Sequence, residues 1–169
     1  PVMILFFRYH KWPVPKMIDA MAPVAVLVHL FGRMGCFMAG CCHGVPTESF
    51  LGVTFTHHAS AAEPLGTPLH PTQLYSVLML LIIFAVLRLV KLRKRFEGQL
   101  FLLYIILYAA GRSIIEEFRG DEARGFVFNG FLSHSQLISL IAGLTALVIY
   151  LFLLKKSRSP EPSNAEVAR

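Results

Sequence analysis

Two stretches of this sequence, residues 64–87 and 125–154, contain no Asp, Glu, Lys or Arg. A helix that crosses a bilayer needs about 20 mostly apolar residues in a row, so each stretch is long enough to span. Composition points the same way. Apolar residues fill 55% of the 169 positions and charged residues only 15%, against about 45–50% and about 25% in ordinary soluble domains. A soluble domain is excluded, and the chain has room for about four spans with their connectors.

The first complete apolar segment runs over residues 18–38, interrupted by Asp19, His29 and Arg33, and the others cover 72–90, 98–118 and 133–154. Residues 1–7, PVMILFF, read as the end of a further apolar segment and lack the charged start of a signal peptide. A chain opening on Pro1 in this way is expected to be a fragment that lacks an N-terminal part. Residues 8–17, with several cations and two prolines, are expected to form a surface loop, and the polar stretch 39–71, with no Lys or Arg, a loop subdomain. The predicted fold is all-α: a polytopic helical membrane protein of about four transmembrane helices plus the end of another. Residues 1–154 are expected to form the membrane-embedded domain and 155–169 a basic, then disordered, tail.

A net charge of +6 and a pI near 9.5 would suit a nucleic-acid binder if the cations formed a patch on a soluble fold. They do not. Three groups fall on one side of the membrane if four helices alternate: Arg8, Lys11 and Lys16; Arg88, Lys91, Arg93, Lys94 and Arg95; and Lys155, Lys156 and Arg158. Short cytoplasmic loops carry such an excess, so the C-terminus is expected in the cytoplasm and the 39–71 loop outside it. No nucleic-acid partner is expected. Arg33, Arg112, Arg119 and Arg124 break the trend, at or beyond the outer face.

Residues 32–44, GRMGCFMAGCCHG, are rich in glycine, which suggests close backbone approaches and positive φ values. Arg33 either snorkels to head groups or lines a cavity. Cys36, Cys41, Cys42 and His43 offer soft ligands, but their spacing lacks the paired CxxC geometry of zinc sites, so no metal is expected. The three cysteines are expected to act as small packing residues, with one disulfide open on an oxidising face. In HPTQLY, residues 70–75, the helical spacing puts Thr72 and Tyr75 on one face and Gln73 off it, and Tyr75 also reads as an interfacial anchor. Tyr108, Arg112, Glu116 and Arg119 stack along one face of their helix. That stripe is either an internal ion pair joining helices or a site in which Glu116 holds Arg112 for an anion and Tyr108 adds a hydroxyl deeper in the bilayer. Two guanidiniums, Arg33 and Arg112, suit a phosphate such as a phospholipid head group.

Together GRMGCFMAGCCHG, HPTQLY and YAAGRSIIEEFRGDEA resemble the prolipoprotein diacylglyceryl transferase family over about residues 17–154. Gly32, Arg33, Gly35, Phe37 and Gly44 match its signature; His70, Pro71, Gln73, Leu74 and Tyr75 match its HPxQLY block; Tyr108, Gly111, Arg112, Glu116, Phe118 and Arg119 match its late block. Leu132, Ser133 and Gln136 resemble the start of the family's last helix. Cys36 stands where the signature usually has Asn, and Cys41 where it usually has Glu. The family's N-terminal part and its His-Gly-Gly motif are not in this sequence, and a chain complete as it stands is expected to be inactive alone.

The resemblance implies transfer of the diacylglyceryl group from phosphatidylglycerol to the lipobox cysteine thiol of a prolipoprotein, with release of glycerol phosphate, at the outer leaflet of a bacterial inner membrane. It assigns catalysis to Arg33, Arg112, Glu116 and Tyr108, and lipid or substrate contacts to Gly32, Gly35, Cys36, Gly44, His70, Gln73, Tyr75 and Arg119. It implies no cofactor and no metal. The general base would be the family's upstream His, with His70 its substitute here. Two other readings stay open: a non-catalytic protein that binds anionic phospholipid, and a membrane protein that binds metal through its Cys and His residues.

Overall fold

The computed structural model describes residues 2–119, 126–127 and 132–158. These form helices α1 (Val2–Tyr9), α2 (Val14–Ala39), α3 (Thr72–Lys91), α4 (Gln99–Glu116) and α5 (His134–Arg158). Two antiparallel ribbons join them: β1 (Val53–Thr54) with β2 (Pro68–Leu69), and β3 (Phe126–Val127) with β4 (Leu132–Ser133). Helices α2 to α5 are each long and apolar enough to cross a membrane, as expected of a polytopic all-α membrane protein.

The expected loop at 8–17 is shorter than its composition suggests. Helix α1 runs to Tyr9 and α2 already starts at Val14, because Pro15 lies in the first turn of α2, where its missing N–H has no partner to lose. At the other end, α5 continues through Lys155 and Lys156 to Arg158 rather than stopping at residue 154, which sets cations at the negative end of its dipole. Residues 159–169 of the expected tail, and Arg124, lie outside the described residues.

Helix α3 packs against both α2 and α4, and α4 packs against α5. The core follows from helical spacing. Ala22, Val26 and Leu30 of α2 meet Leu80, Ile83 and Leu87 of α3 and Leu100 of α4. Helix α5 approaches α4 through a small-residue contact, where a Cβ on Gly143 would stand 2.8 Å from that of Ala109. Val28, Ile82, Leu89 and Phe152 stay exposed, as apolar side chains facing lipid require no protein cover.

The bundle's two ends differ. At the end carrying the basic connector, Asp19 of α2 is buried and caps the start of α4 from outside it. Its Oδ2 accepts the Gly98 N–H at 2.9 Å, and Oδ1 accepts those of Leu100 at 2.9 Å and Phe101 at 3.1 Å. Lys94 pairs with the same carboxylate at 3.2 Å. At the opposite end, residues 40–71 fold over the ends of α2 and α4. Gly40 closes α2 with φ +72°, its N–H bonded to Phe37 O at 3.1 Å, and the next N–H, of Cys41, reaches Cys36 O at 3.1 Å. A Cβ at Gly40 would also collide with the Ser60 hydroxyl.

Candidate active site

The stripe on α4 faces inward. Arg112 is 7% exposed and ion-paired with Glu116 at 2.5 Å. The first turn of α5 completes the arrangement: Arg112 Nη2 donates to Ser135 Oγ at 3.3 Å, and Ser135 Oγ donates to Glu116 Oε1 at 2.6 Å. One guanidinium is thus fixed by a carboxylate on its own helix and a hydroxyl on the next. Arg33 of α2 and Arg119 beyond α4 lie near enough for their charges to act on Arg112. Three arginines therefore lie within electrostatic range at one end of the bundle, with Glu116 beside Arg112. A phosphate would meet paired donors there.

Below them, α2 and α4 form a polar track through the apolar interior. His29 Nδ1 lies 3.1 Å from the Tyr104 hydroxyl, and the His29 and Tyr108 rings stand 4.9 Å apart. Tyr108 belongs to the stripe that the sequence marks, whereas His29 stands in the sequence only as a break in an apolar segment and Tyr104 as one aromatic among apolar neighbours. Residues 104, 108, 112 and 116 repeat every fourth position, and this spacing held the signal.

The thiols come together. Cys36 in the last turn of α2 and Cys41 and Cys42 just after it are all free, with their sulfurs within 4.8 Å of one another. Cys41 donates weakly to the Cys36 carbonyl at 3.7 Å. Burial, aided by the hydrogen bond to Cys36 and the neighbouring sulfurs, pushes the Cys41 thiol up to about 11. For Cys42, burial acts in the same sense, but the hydrogen bond and charge of Arg119, with help from Cys41 and Arg33, bring its pKa below the ordinary value. The three small side chains, expected as packing residues, lie together as one cluster near Arg119 and Arg33.

HPTQLY holds this cluster in place. Thr72 Oγ1 donates to the Cys42 carbonyl at 2.7 Å and Gln73 Nε2 to the Cys41 carbonyl at 2.7 Å. Both side chains are fully buried, so Gln73 works with Thr72 rather than off its face. Two adjacent carbonyls of a loop lie over the helix start, and within one turn both residues reach them. Gln73 Oε1 is buried without a hydrogen-bond partner among the described residues. Tyr75 points elsewhere, its hydroxyl 3.1 Å from His70 Nδ1, and both rings pack on Phe118.

Glycine works here in a narrower way than its density suggests. Gly32 and Gly35 lie within α2 and a Cβ on either would meet nothing within 4 Å, so they leave open space on both sides of Arg33 rather than a close contact. Gly44 is the close approach. A Cβ there would strike the Phe118 carbonyl, His70 Cβ and Thr72 Cγ2. Gly44→Ala is expected to cost about 1–3 kcal/mol through overpacking against backbone, read as a lower unfolding midpoint in detergent; an unchanged midpoint would show that the loop yields freely.

An apolar groove of about 400 Å³ runs between α3 and α4, lined by Tyr75, Met79, Ile83, Leu107, Gly111 and Ile115 among others. A second hollow, bounded by His70, Tyr75, Ile115 and Phe118, continues it toward the loop end. Gly111 in its wall precedes Arg112 in the chain.

A four-span helical bundle with three neighbouring arginines at one end, bordered by an apolar groove, is the class of polytopic helical membrane protein that the fold defines. Residues 1–152 match the family model described as prolipoprotein diacylglyceryl transferase, and the chain belongs to that family. It is 40% identical over 146 residues to the phosphatidylglycerol–prolipoprotein diacylglyceryl transferase of Clostridium tetani, covering 86% of this chain and 57% of that protein. The transferase of the same name from Dehalococcoides mccartyi strain 195 is 36% identical over 159 residues, covering 93% and 58%. That from Corynebacterium glutamicum ATCC 13032 is 35% identical over 176 residues, covering 93% and 52%. The chain spans about half the length of the curated relatives it matches.

Proposed function

We propose that the protein transfers the diacylglyceryl group of phosphatidylglycerol to the thiol of a lipobox cysteine in a prolipoprotein signal peptide. The observation that carries this reading is Arg112, buried in an apolar bundle yet fixed by Glu116 and Ser135, with the charges of Arg33 and Arg119 beside it. A glycerophosphate leaving group gains negative charge as its carbon–oxygen bond breaks. Donors already aimed at it stabilise that charge more than they stabilise the bound lipid. Arg33 and Arg112 meet the phosphate, Glu116 holds Arg112, and Tyr108 and the open space at Gly32 and Gly35 border the reacting end. Acyl chains lie in the groove below Tyr75. Residues 1–154 act as one membrane-embedded unit of the bacterial inner membrane. The three basic clusters gather at one end, and by the positive-inside rule that end and the 155–169 tail face the cytoplasm, with the site at the outer leaflet.

Membranes holding the protein, supplied with phosphatidylglycerol labelled in its acyl chains and a lipobox peptide, test this directly. Label is expected on the peptide in a form that survives neutral hydroxylamine, which spares a thioether and the glyceryl oxygen esters but cleaves a thioester. Lipid binding without such a product would leave a phospholipid-binding protein and end the transferase reading.

A further inference from the structure

The attacking thiol must lose its proton before it can displace a phosphate, and in its neutral form it is a weak nucleophile. Next to the three arginines stand three further thiols with a geometry of their own. Their sulfurs lie within 4.8 Å of one another, where a tetrahedral zinc site with bonds of about 2.3 Å needs sulfurs about 3.8 Å apart. The backbone carrying them is fixed: Gly40 caps the helix, Cys42 takes φ +62°, and Gln73 and Thr72 hold the carbonyls of Cys41 and Cys42.

The neighbours suit a metal thiolate. Three thiolates and a divalent ion carry one net negative charge, which Arg119 and Arg33 beside Cys42 balance. His43, next in the chain, is occupied otherwise: Nδ1 lies 3.0 Å from Gly44 O, and Nε2 accepts the Glu63 N–H at 3.3 Å. Among the described residues no fourth ligand of the usual kinds joins the three sulfurs. Zinc sites that act on substrates keep such an open position, and a thiol that enters it is deprotonated by the metal.

We propose that Cys36, Cys41 and Cys42 hold one zinc ion through three thiolates, with the fourth position taken by the thiol of the incoming lipobox cysteine. The identity of that fourth ligand rests on the transferase reading; the three-thiolate site does not. On binding, the peptide thiol exchanges its proton for the zinc–sulfur bond, and the proton passes to solution. The sulfur then attacks the glyceryl carbon of phosphatidylglycerol. A carbon–sulfur bond forms, the carbon–oxygen bond breaks, and its electron pair leaves with glycerol phosphate; the zinc–sulfur bond then breaks as the neutral thioether departs, which reopens the fourth position. The step needs no oxidant or reductant.

The test uses the reduced protein in detergent, loaded with zinc and dialysed, and the same protein loaded with cobalt(II) as a coloured probe. One zinc per chain is expected, with the intense sulfur-to-cobalt band of a thiolate site. Cys36→Ser, Cys41→Ser and Cys42→Ser should each weaken binding by at least about 10-fold. Because a variant can fail to fold, the decisive measurement is on the unaltered protein. A lipobox peptide should shift the cobalt spectrum, and the same peptide with its cysteine changed to serine should not. Sub-stoichiometric zinc, zinc retained at full strength in all three variants, or a disulfide in place of two thiols would overturn the site. Bound metal whose spectrum ignores the peptide thiol would overturn the fourth-ligand assignment and the proposal with it. A spectral shift without any transfer product would uphold the proposal and count against the transferase activity instead.

Discussion

Arg112→Lys is expected to keep the fold and to lower kcat/KM for diacylglyceryl transfer by about 10²- to 10³-fold, the loss found when one positioned donor to a developing anion is removed. The charge is conserved, so the loss measures geometry. Arg112 spends Nη1 on Glu116 and Nη2 on Ser135, and the planar fork that makes both bonds leaves further N–H groups for phosphate oxygens. An ammonium on a flexible stem can keep the Glu116 pair but cannot hold that pair, the Ser135 hydroxyl and a bidentate phosphate contact together. Lys is the sharper substitution for this reason. Arg112→Gln would strand the buried Glu116 carboxylate and confuse lost chemistry with lost stability. The measurement is initial rate against phosphatidylglycerol concentration, with the unfolding midpoint of each variant as control. Activity within a few-fold of the parent at an unchanged midpoint would remove Arg112 from the reaction and leave it as the helix-joining ion pair that its spacing equally allows.

Periodicity within one helix was legible, and contact between elements was not. Residues 108, 112, 116 and 119 fall on one face by arithmetic; the structure turns 108, 112 and 116 inward, while α4 ends at Glu116 and Arg119 lies past it. Ser135, which ties Arg112 to Glu116, sits on the next helix beyond a connector, and nothing in the spacing of α4 points to it. Gln73 shows the same limit. Its helical position says where the side chain leaves the helix, but its partner is the Cys41 carbonyl, which no period encodes. The spacing Cys-x4-Cys-Cys lacks the paired geometry that would mark the three thiols as a cluster. Yet the Gly40 cap reverses the chain at the end of α2 and brings residue 41 back over residue 36. The same glycine-rich stretch misled in the other direction at Gly32 and Gly35, whose helical setting leaves them facing open space.

Asp19 is the residue the sequence made least of, and Asp19→Ala is expected to be among the most destabilising single changes in the chain, by about 3–5 kcal/mol. A charge in an apolar segment first reads as a break in a span. Here it is 2% exposed and accepts three backbone N–H groups at the start of α4, donors that no carbonyl of that helix can satisfy. Alanine would leave those donors buried, remove one of the two acidic partners of Lys94, and leave the α2–α4 contact without its side-chain-to-backbone tie. Lys94→Met should cost far less, because Asp19 keeps its three amides and the helix dipole. Lys94 responds to the pair in turn. Burial lowers its pKa, but the hydrogen bonds and charges of Glu97 and Asp19 outweigh this and raise it. Its contribution is therefore complete at neutral pH, below the unfolded lysine value, and fades only as pH rises through the raised value in the folded state. Unfolding of both variants in mixed micelles at neutral pH checks the ordering. Equal losses for Asp19→Ala and Lys94→Met would mean that the ion pair, and not the cap, holds α2 to α4. Because Asp19 lies at the end of the bundle opposite Arg112, molecules of Asp19→Ala that remain folded should transfer diacylglyceryl groups at the parental rate, which separates this loss from that of Arg112→Lys.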